Sequence, residues 1–354
     1  MSQPASQEPA NSPAKISPDD ALPAVNPPSA GFLIQLFVIP GIIVLVIVMV
    51  WLLFTWLAFM GGDPDSYLKE MRQNKANSWQ QAYNLSEVLR QNEEHRRDAG
   101  LAASVADFLS DLLDQPLPPA TAGRQQSQRD PRGEEIRRRG FLCKTLGEFY
   151  VTDAALPVLI RAASTHDQED DLRVRLAALE AIALLAENTE DRAVVESSAL
   201  MSLLRESSLN PDHKIRLRAA VALAAVGSDE ALDCLQQMLD QPQHVDVHYN
   251  VATGLARRGK PACIEMLREM LDPYESRGVA GEPSQDARQF KQTMILLNAL
   301  KAVRSLAESD PEADLSSLVE PVRQLADWKA ARQVRLEAKL TLVVLQPQRE
   351  AQDR

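Results

Sequence analysis

The segment from His244 to His248 contains the residues whose types and spacing most suggest chemistry. His244 and His248 are four residues apart, so on one helix both would face the same side, and Asp246 lies between them. Imidazole nitrogens with a carboxylate oxygen form a weak candidate for a metal site. The alternative is structural, with His244 in the preceding turn and Asp246 capping or opening the helix. We favour this alternative and expect neither a metal nor another cofactor.

Other groupings indicate no enzyme and no nucleic-acid partner. Cys143, Cys234 and Cys263 occupy apolar helical positions too far apart for a disulfide framework or a zinc site, which predicts small core residues. A net charge of −11 argues against binding nucleic acid. The basic cluster Arg137–Arg139, preceded by Arg129 and Arg132, is interpreted as a solvated helix face in preference to a lipid or acidic-partner contact.

An apolar stretch near the N-terminus predicts one transmembrane helix within residues 31–60. No charged residue occurs from Ala21 to Gly62. The 19 residues from Ile42 to Met60 would span about 28 Å as a helix, close to the thickness of a hydrocarbon core. The run is longer than a signal peptide's apolar region and begins later.

Basic residues flanking this stretch predict its orientation. Lys15 alone precedes it, whereas Lys69, Arg72 and Lys75 follow closely. The positive-inside rule therefore places the N-terminus outside and the C-terminal part in the cytoplasm, at the plasma (inner) membrane. Unpaired cysteines agree with a reducing compartment.

Composition and apolar period divide the chain into six regions. Residues 1–30, with seven prolines and no aromatic residue, are expected to be disordered. Beyond the membrane segment, apolar residues recur at helical spacing with no convincing alternating strand. The remaining predicted regions are juxtamembrane helices with a first repeat unit (61–114), a flexible linker (115–132), a repeat domain (133–346) and a disordered tail (347–354).

Helices of the repeat domain share one pattern. Numbering from Val174, Ile215, Val247 or Val334 as position 0, small or apolar residues recur at positions +4 and +8. The +4 residues are Ala178, Ala219, Val251 and Ala338, and the +8 residues are Ile182, Leu223, Leu255 and Leu342. Leu-rich helices alternate with these. Helix pairs repeating every 30–45 residues indicate an α-solenoid, here with about seven pairs.

The turn into these second helices resembles the HEAT-repeat family. Asp171 precedes Val174-Arg175 as Asp212 precedes Ile215-Arg216, and Arg335 follows Val334, whereas His248 replaces the arginine in another unit. The Asp would cap the helix, and the Arg would pair with an Asp of the adjacent unit to form a ladder.

The resemblance implies an all-α, right-handed solenoid whose second helices line a concave face that grips protein partners. We therefore expect a membrane-anchored, non-catalytic scaffold that contacts one protein and the bilayer. The alternative is an enzyme with a metal or small-molecule site in the groove, similar to HEAT-type hydroxylases or lyases. Position +3, polar in three of four units, is expected to face the partner. The proposed partner-binding residues are Arg218, Asn250 and Glu337, together with Arg257.

Overall fold

The computed structural model describes residues 38–59, 64–73, 78–119, 130–164, 172–189 and 196–352, with Gly31, Ile34 and Val194. Side chains are described for the same residues except 56–59 and 346–352. Contacts divide the chain into two compact units, Met1–Gly61 and Gly62–Arg354. Within the described ranges the regular elements are helices and no strand occurs, which confirms the all-α class. The predicted tail 1–30, linker residues 120–129 and Asp171 lie outside the described residues.

The first unit contains helix α1 (Ile39–Phe59), which has 21 residues and no charge. Its large apolar side chains, from Ile39 to Phe54, are all exposed. Side chains of α1 are described only as far as Thr55. Among the described residues, no helix is long and apolar enough to qualify as a membrane-crossing one. The transmembrane segment at 31–60 therefore stays a prediction.

The second unit is a succession of helix pairs. Within its described residues we count seven pairs and a single-turn helix, α4 (Glu93–Arg96). The pairs, first helix before second, are α2 (Pro64–Gln73) and α3 (Ser78–Gln91), α5 (Ala99–Leu113) and α6 (Pro131–Gly147), α7 (Thr152–Ala163) and α8 (Leu172–Asn188), α9 (Ser198–Ser208) and α10 (His213–Val226), α11 (Asp229–Asp240) and α12 (Val245–Arg257), α13 (Ile264–Met270) and α14 (Gln285–Ser309), and α15 (Ser316–Asp327) and α16 (Arg332–Gln352).

Each second helix packs on its own first helix and on the second helices before and after it. The +4 row is fully buried, and the +8 row is buried in three of four units, as the apolar period predicts. Arg258, at position +11 of its unit, departs from this core row. Its Nε donates to the Ala224 carbonyl at 2.8 Å, and the guanidinium covers Gly227, which ends α10 at φ 63°.

Small residues at position +7 let successive second helices approach closely. In α6 and α14 the same row is counted from Arg138 and Gln292. The row consists of Thr145, Ala181, Ala222, Gly254, Ala299 and Thr341, all buried. Both threonine hydroxyls donate to carbonyls of the preceding second helix, Thr145 to Ala82 at 3.0 Å and Thr341 to Leu300 at 3.3 Å. The stack is therefore joined by backbone approach as well as by apolar burial.

The C-terminal boundary differs from the expectation. Helix α16 continues to Gln352, within the region 347–354 for which a disordered tail is predicted. The stretch contains Pro347, which disfavours a helix interior, but the Gln, Arg, Glu and Ala residues after it are good helix formers.

Gly147→Ala should destabilise the second unit, because a Cβ there would lie 2.9 Å from the Cα and carbonyl oxygen of Ala181. We expect a loss of about 1–3 kcal/mol in the free energy of unfolding. Gly140→Ala is the control in the same helix. A Cβ at residue 140 would lie 3.7 Å from the Ala177 side chain, an ordinary van der Waals distance. That change should be neutral or stabilising by up to ~1 kcal/mol. Circular-dichroism melting of the full chain in detergent distinguishes the two, and equal melting temperatures would contradict the close approach.

Candidate functional site

The HEAT-like motif forms a structural joint at the start of each second helix. Asp212 caps α10, its carboxylate accepting from the Lys214 amide at 2.8 Å. Arg216 donates from Nη1 to the carbonyls of Asn210 (2.7 Å) and Pro211 (2.8 Å), and from Nε to Gln243 Oε1 at 2.7 Å. The arginine therefore binds the turn that ends its own first helix, with Gln243 as its contact in the next unit.

The same contact recurs in other pairs. Arg175 donates to the Ala163 carbonyl at 3.1 Å, and Arg335 donates to the carbonyls of Trp328 and Lys329, both at 3.1 Å. These contacts are all with backbone carbonyls, and the predicted ladder of Arg–Asp pairs between units stays a prediction. Carbonyls at a helix C-terminus lack intrahelical partners and sit at the negative end of the helix dipole, so they compete successfully for a nearby guanidinium.

The histidine segment takes part in this structural joint. His248 Nε2 lies 2.8 Å from the Gln241 carbonyl, the position that an arginine occupies elsewhere. His244 caps α12 by accepting from the Asp246 amide at 3.2 Å and stacks on His213 with ring centroids 4.3 Å apart.

Asp246 pairs with Lys291, with 3.1 Å between carboxylate and Nζ, and its Oδ2 also lies 3.7 Å from His244 Nδ1. The structure therefore brings His244 and Asp246 together, while His248 contacts the Gln241 carbonyl. Throughout the described part of the chain, no group of three or more His, Cys, Asp or Glu side chains converges as metal ligands would.

Two arginines of the basic cluster are buried, contrary to the expected solvated face. Arg138 and Arg139 both pair with Glu135, at 3.4 and 3.1 Å. Arg138 also lies over the Phe108 ring, 4.7 Å from its centroid, and donates to the Met71 carbonyl at 3.1 Å. Burial lowers the pKa of Arg138. These side chains join the first two pairs of the stack and leave Arg137 alone of the three exposed.

Position +3 lies on the flank that faces the preceding unit, not on the outward side. Arg218 reaches Glu180 of α8 at 3.8 Å, and Glu337 reaches Arg304 of α14 at 2.7 Å. Asn250 donates to the Asp246 carbonyl of its own helix at 2.7 Å.

Arg257 is more exposed, but it pairs with Glu187 at 2.9 Å, bridging α12 and α8 across the intervening α10. The four proposed partner residues thus have intramolecular contacts, and their role in partner binding stays a prediction. Arg218, Arg257 and Glu337 link different helices, and Asn250 contacts its own helix.

The solvent-exposed side of α3, α6, α8, α10, α12, α14 and α16, here called the second-helix face, carries apolar residues at both ends. At the N-terminal end Tyr83 is exposed and lies edge-on to Phe141, 6.1 Å between centroids, and Phe141 stacks on Trp79 at 5.5 Å. At the C-terminal end α14 and α16 expose five apolar side chains: Phe290, Met294, Leu336, Leu340 and Val343.

This distribution was visible in the sequence at position +2, one residue before the row that was chosen. Leu176, Leu217, Tyr249 and Leu336 occupy that position, and all are apolar. Leu336 is exposed, whereas Leu176 and Leu217 are partly buried against the core and Tyr249 is buried. At 100° per residue, position +2 points almost directly away from the core row centred on +4. The prediction of a partner-binding row used the polar +3 residues and did not include an outward apolar residue such as Leu336.

The three cysteines are buried and unpaired, which confirms their prediction as core residues. Burial raises the pKa of the Cys143 and Cys263 thiols to about 12. The thiolate is the reactive form, so these two side chains are poor nucleophiles in the folded chain.

The helix pairs and their stacked second helices define the second unit as an α-solenoid. Residues 197–282 match the family model described as HEAT repeats, which supports a HEAT-repeat family for this part of the chain. Among proteins of curated function, none matches this sequence.

Solved structures of similar architecture include the complex of CpcE and CpcF of phycocyanin lyase from Nostoc sp. PCC7120. It is 18% identical, with 80% of this chain and 95% of that chain covered and a TM-score of 0.42. Two engineered proteins are 15% and 16% identical, with TM-scores of 0.35 and 0.38. They cover 81% and 80% of this chain, and 98% and 68% of their own.

Arg216→Ala should destabilise the fold more than Arg218→Ala in the same helix. The first change removes three hydrogen bonds, each contributing about 0.5–1.5 kcal/mol. The second removes a half-exposed ion pair of 3.8 Å, for which less than about 1 kcal/mol is expected. Urea unfolding followed by circular dichroism gives both values. A larger loss for Arg218→Ala would show that the roles have been assigned the wrong way round.

Thiol labelling checks the burial of the cysteines. In the native full-length chain, Ellman's reagent should find no reactive thiol, and after unfolding in guanidinium it should find all three. Ser202→Cys, at an exposed position of α9, is the positive control and should label at once. Rapid labelling of an unsubstituted native chain would contradict the packing described for these residues.

Proposed function

We propose that this chain is a membrane-anchored, non-catalytic scaffold that holds a protein partner on its second-helix face. The exposed apolar residues at both ends of that face carry the proposal. Contiguous apolar surface is uncommon on monomeric proteins and marks interaction sites, and aromatic residues such as Tyr83 are enriched among the side chains that dominate binding. HEAT repeats support it as an architecture that generally mediates protein interaction.

Helix α1 is the proposed membrane anchor. It has 21 residues, equivalent to about 31 Å of helix, and its apolar side chains point outward on every side. A helix that is apolar all round needs an apolar environment all round, which a bilayer provides. Lys69, Arg72 and Lys75 support a cytoplasmic location for the solenoid, with the N-terminus outside.

Charging the middle of α1 tests the anchor. Leu45→Arg with Val48→Arg should move the protein from the carbonate-resistant membrane pellet to the supernatant, because arginine at the bilayer centre costs about 2.5–3.5 kcal/mol per residue. Leu45→Ala with Val48→Ala is the matched control and should stay in the pellet. Unsubstituted chain in the supernatant would refute the anchor, and protease cleavage of the solenoid from outside intact cells would refute the orientation.

Copurification from mild detergent tests the scaffold. One protein should accompany the full-length chain in near-equal amount and should be lost on Tyr83→Ala combined with Leu340→Ala. Leu209→Ala is the control, since Leu209 is an exposed apolar residue in the turn after α9, outside the second-helix face. A chain that comes down alone, or a partner retained by the double variant, would contradict the proposal.

A further inference from the structure

The C-terminal end of the second-helix face exposes its apolar residues in two ridges. Phe290 and Met294 follow one another on α14, and Leu336, Leu340 and Val343 follow on α16, at spacings that place each set on one side of its helix. Their exposed fractions run from 42% to 71%. We call these five residues the C-terminal apolar surface.

In the preceding unit the residue at the equivalent position is covered by another segment of the same chain. Tyr249 of α12 is buried, and its hydroxyl donates to Glu269 at 3.0 Å. The segment between α13 and α14 crosses it, with Gly278 so close that a Cβ there would lie 2.9 Å from the ring. Arg277 holds that segment to Glu269 at 2.8 Å. The covering stops at α12, and the two following second helices keep their outward apolar residues in solvent.

The two ridges are held side by side. Helices α14 and α16 are joined on their shared flank by the Arg304–Glu337 ion pair at 2.7 Å and by the Thr341 hydroxyl on the Leu300 carbonyl. Met294 and Leu336 both occupy position +2, so they stand at the same level of adjacent helices. Helices in such contact lie about 8–10 Å apart, which leaves a groove between the ridges wide enough to receive a third row of side chains.

Basic side chains border this groove. Lys301 of α14 and Arg332 and Lys339 of α16 are exposed beside the apolar residues. Of the nearby carboxylates, Glu337 pairs with Arg304, and Asp286 is exposed one turn before Phe290, at the end of the groove away from Lys301. Glu308, another exposed carboxylate of α14, lies two turns beyond Lys301. An apolar groove with cationic edges complements an apolar stripe with anionic edges.

We propose that the C-terminal apolar surface binds an amphipathic helix of the partner protein, whose apolar residues fill the groove and whose Asp and Glu residues meet Lys301, Arg332 and Lys339. Helix-in-groove recognition uses apolar residues at i, i+3, i+4 and i+7, which match the ridges of α14 and α16. This rests on the proposed scaffold function and assigns its surface and the chemistry of its partner. Ridges that flank a groove suit a helix better than a bilayer, where apolar side chains insert from a protruding surface.

A fluorescent probe on α16 tests the proposal. Gln333→Cys, exposed and one turn before Leu336, is labelled with bimane in the full-length chain held in phosphatidylcholine nanodiscs, where the native cysteines are buried. Three helical peptides of about five turns are titrated: a leucine stripe flanked by glutamate, the same stripe flanked by lysine, and the glutamate peptide with its leucines changed to glutamine. The glutamate-flanked leucine peptide should shift bimane emission to the blue at micromolar concentration, and the other two should not.

Matched variants decide what the shift means. Leu336→Asp with Leu340→Asp should weaken binding at least ~10-fold, while Leu209→Asp, outside the surface, should leave it unchanged. The Lys301→Glu, Lys339→Glu variant should bind the lysine-flanked leucine peptide more tightly than the glutamate-flanked one. Unchanged melting temperatures establish that each variant is folded. Equal binding of both leucine peptides by the unsubstituted chain, or no binding, would overturn the proposal.

Two other occupants have their own outcomes. A blue shift with added phosphatidylserine vesicles and none with peptide would assign the surface to anionic lipid. A blue shift that grows with protein concentration alone and disappears in the Leu336→Asp, Leu340→Asp variant would assign it to a second copy of the chain. Either result overturns this inference. If the copurifying partner is lost on Tyr83→Ala alone and retained by the Leu336→Asp, Leu340→Asp variant, the scaffold proposal survives and only the assignment of its surface fails.

Discussion

Each pair of this solenoid has backbone carbonyls that its first helix leaves unpaired, and in four of the seven described pairs one side chain in the first turn of the second helix binds such carbonyls. Arg175, Arg216, His248 and Arg335 all perform this task. Because the contact joins the end of one helix to the start of the next, it fixes the turn between them. The second helices can then stack in register, and all later features depend on that register.

Stacking divides the surface of each second helix into sides with different duties. Small residues at position +7 permit backbone approach on the flank, and charged residues such as Glu180 and Arg218 connect neighbouring helices at its edge. Only the outward side is free of these requirements. Leu340 and Phe290 lie exposed on that side, and the proposed partner would cover them.

The spacing of apolar residues was sufficient to predict the number of pairs, the buried +4 row and the core cysteines. The side of a helix that is buried in the core can be recognised from the sequence of that helix alone. The apolar spacing could not predict which polar side chains face a neighbouring helix. Position +3 proved to be a flank because Glu180 and Arg304 come from other units. Arg138 proved to be buried because Phe108 and Met71 approach it from two other helices. The sequence of the basic cluster Arg137–Arg139 does not indicate which side chains of other helices pack against it.

The two exposed apolar regions of the chain differ in how their apolar residues are distributed, and this difference is why we propose a bilayer for one and a partner helix for the other. Helix α1 has no charged residue in 21 positions and exposes apolar side chains all round, so no single protein helix would cover it. On α16 the apolar residues occupy one side, with Arg332 and Lys339 beside them, so water can remain on the rest of the helix. Desolvating α1 requires a surrounding solvent of lipid, whereas covering Leu336, Leu340 and Val343 requires only one complementary stripe. We therefore propose that one apolar surface anchors the protein and that the other recruits its partner.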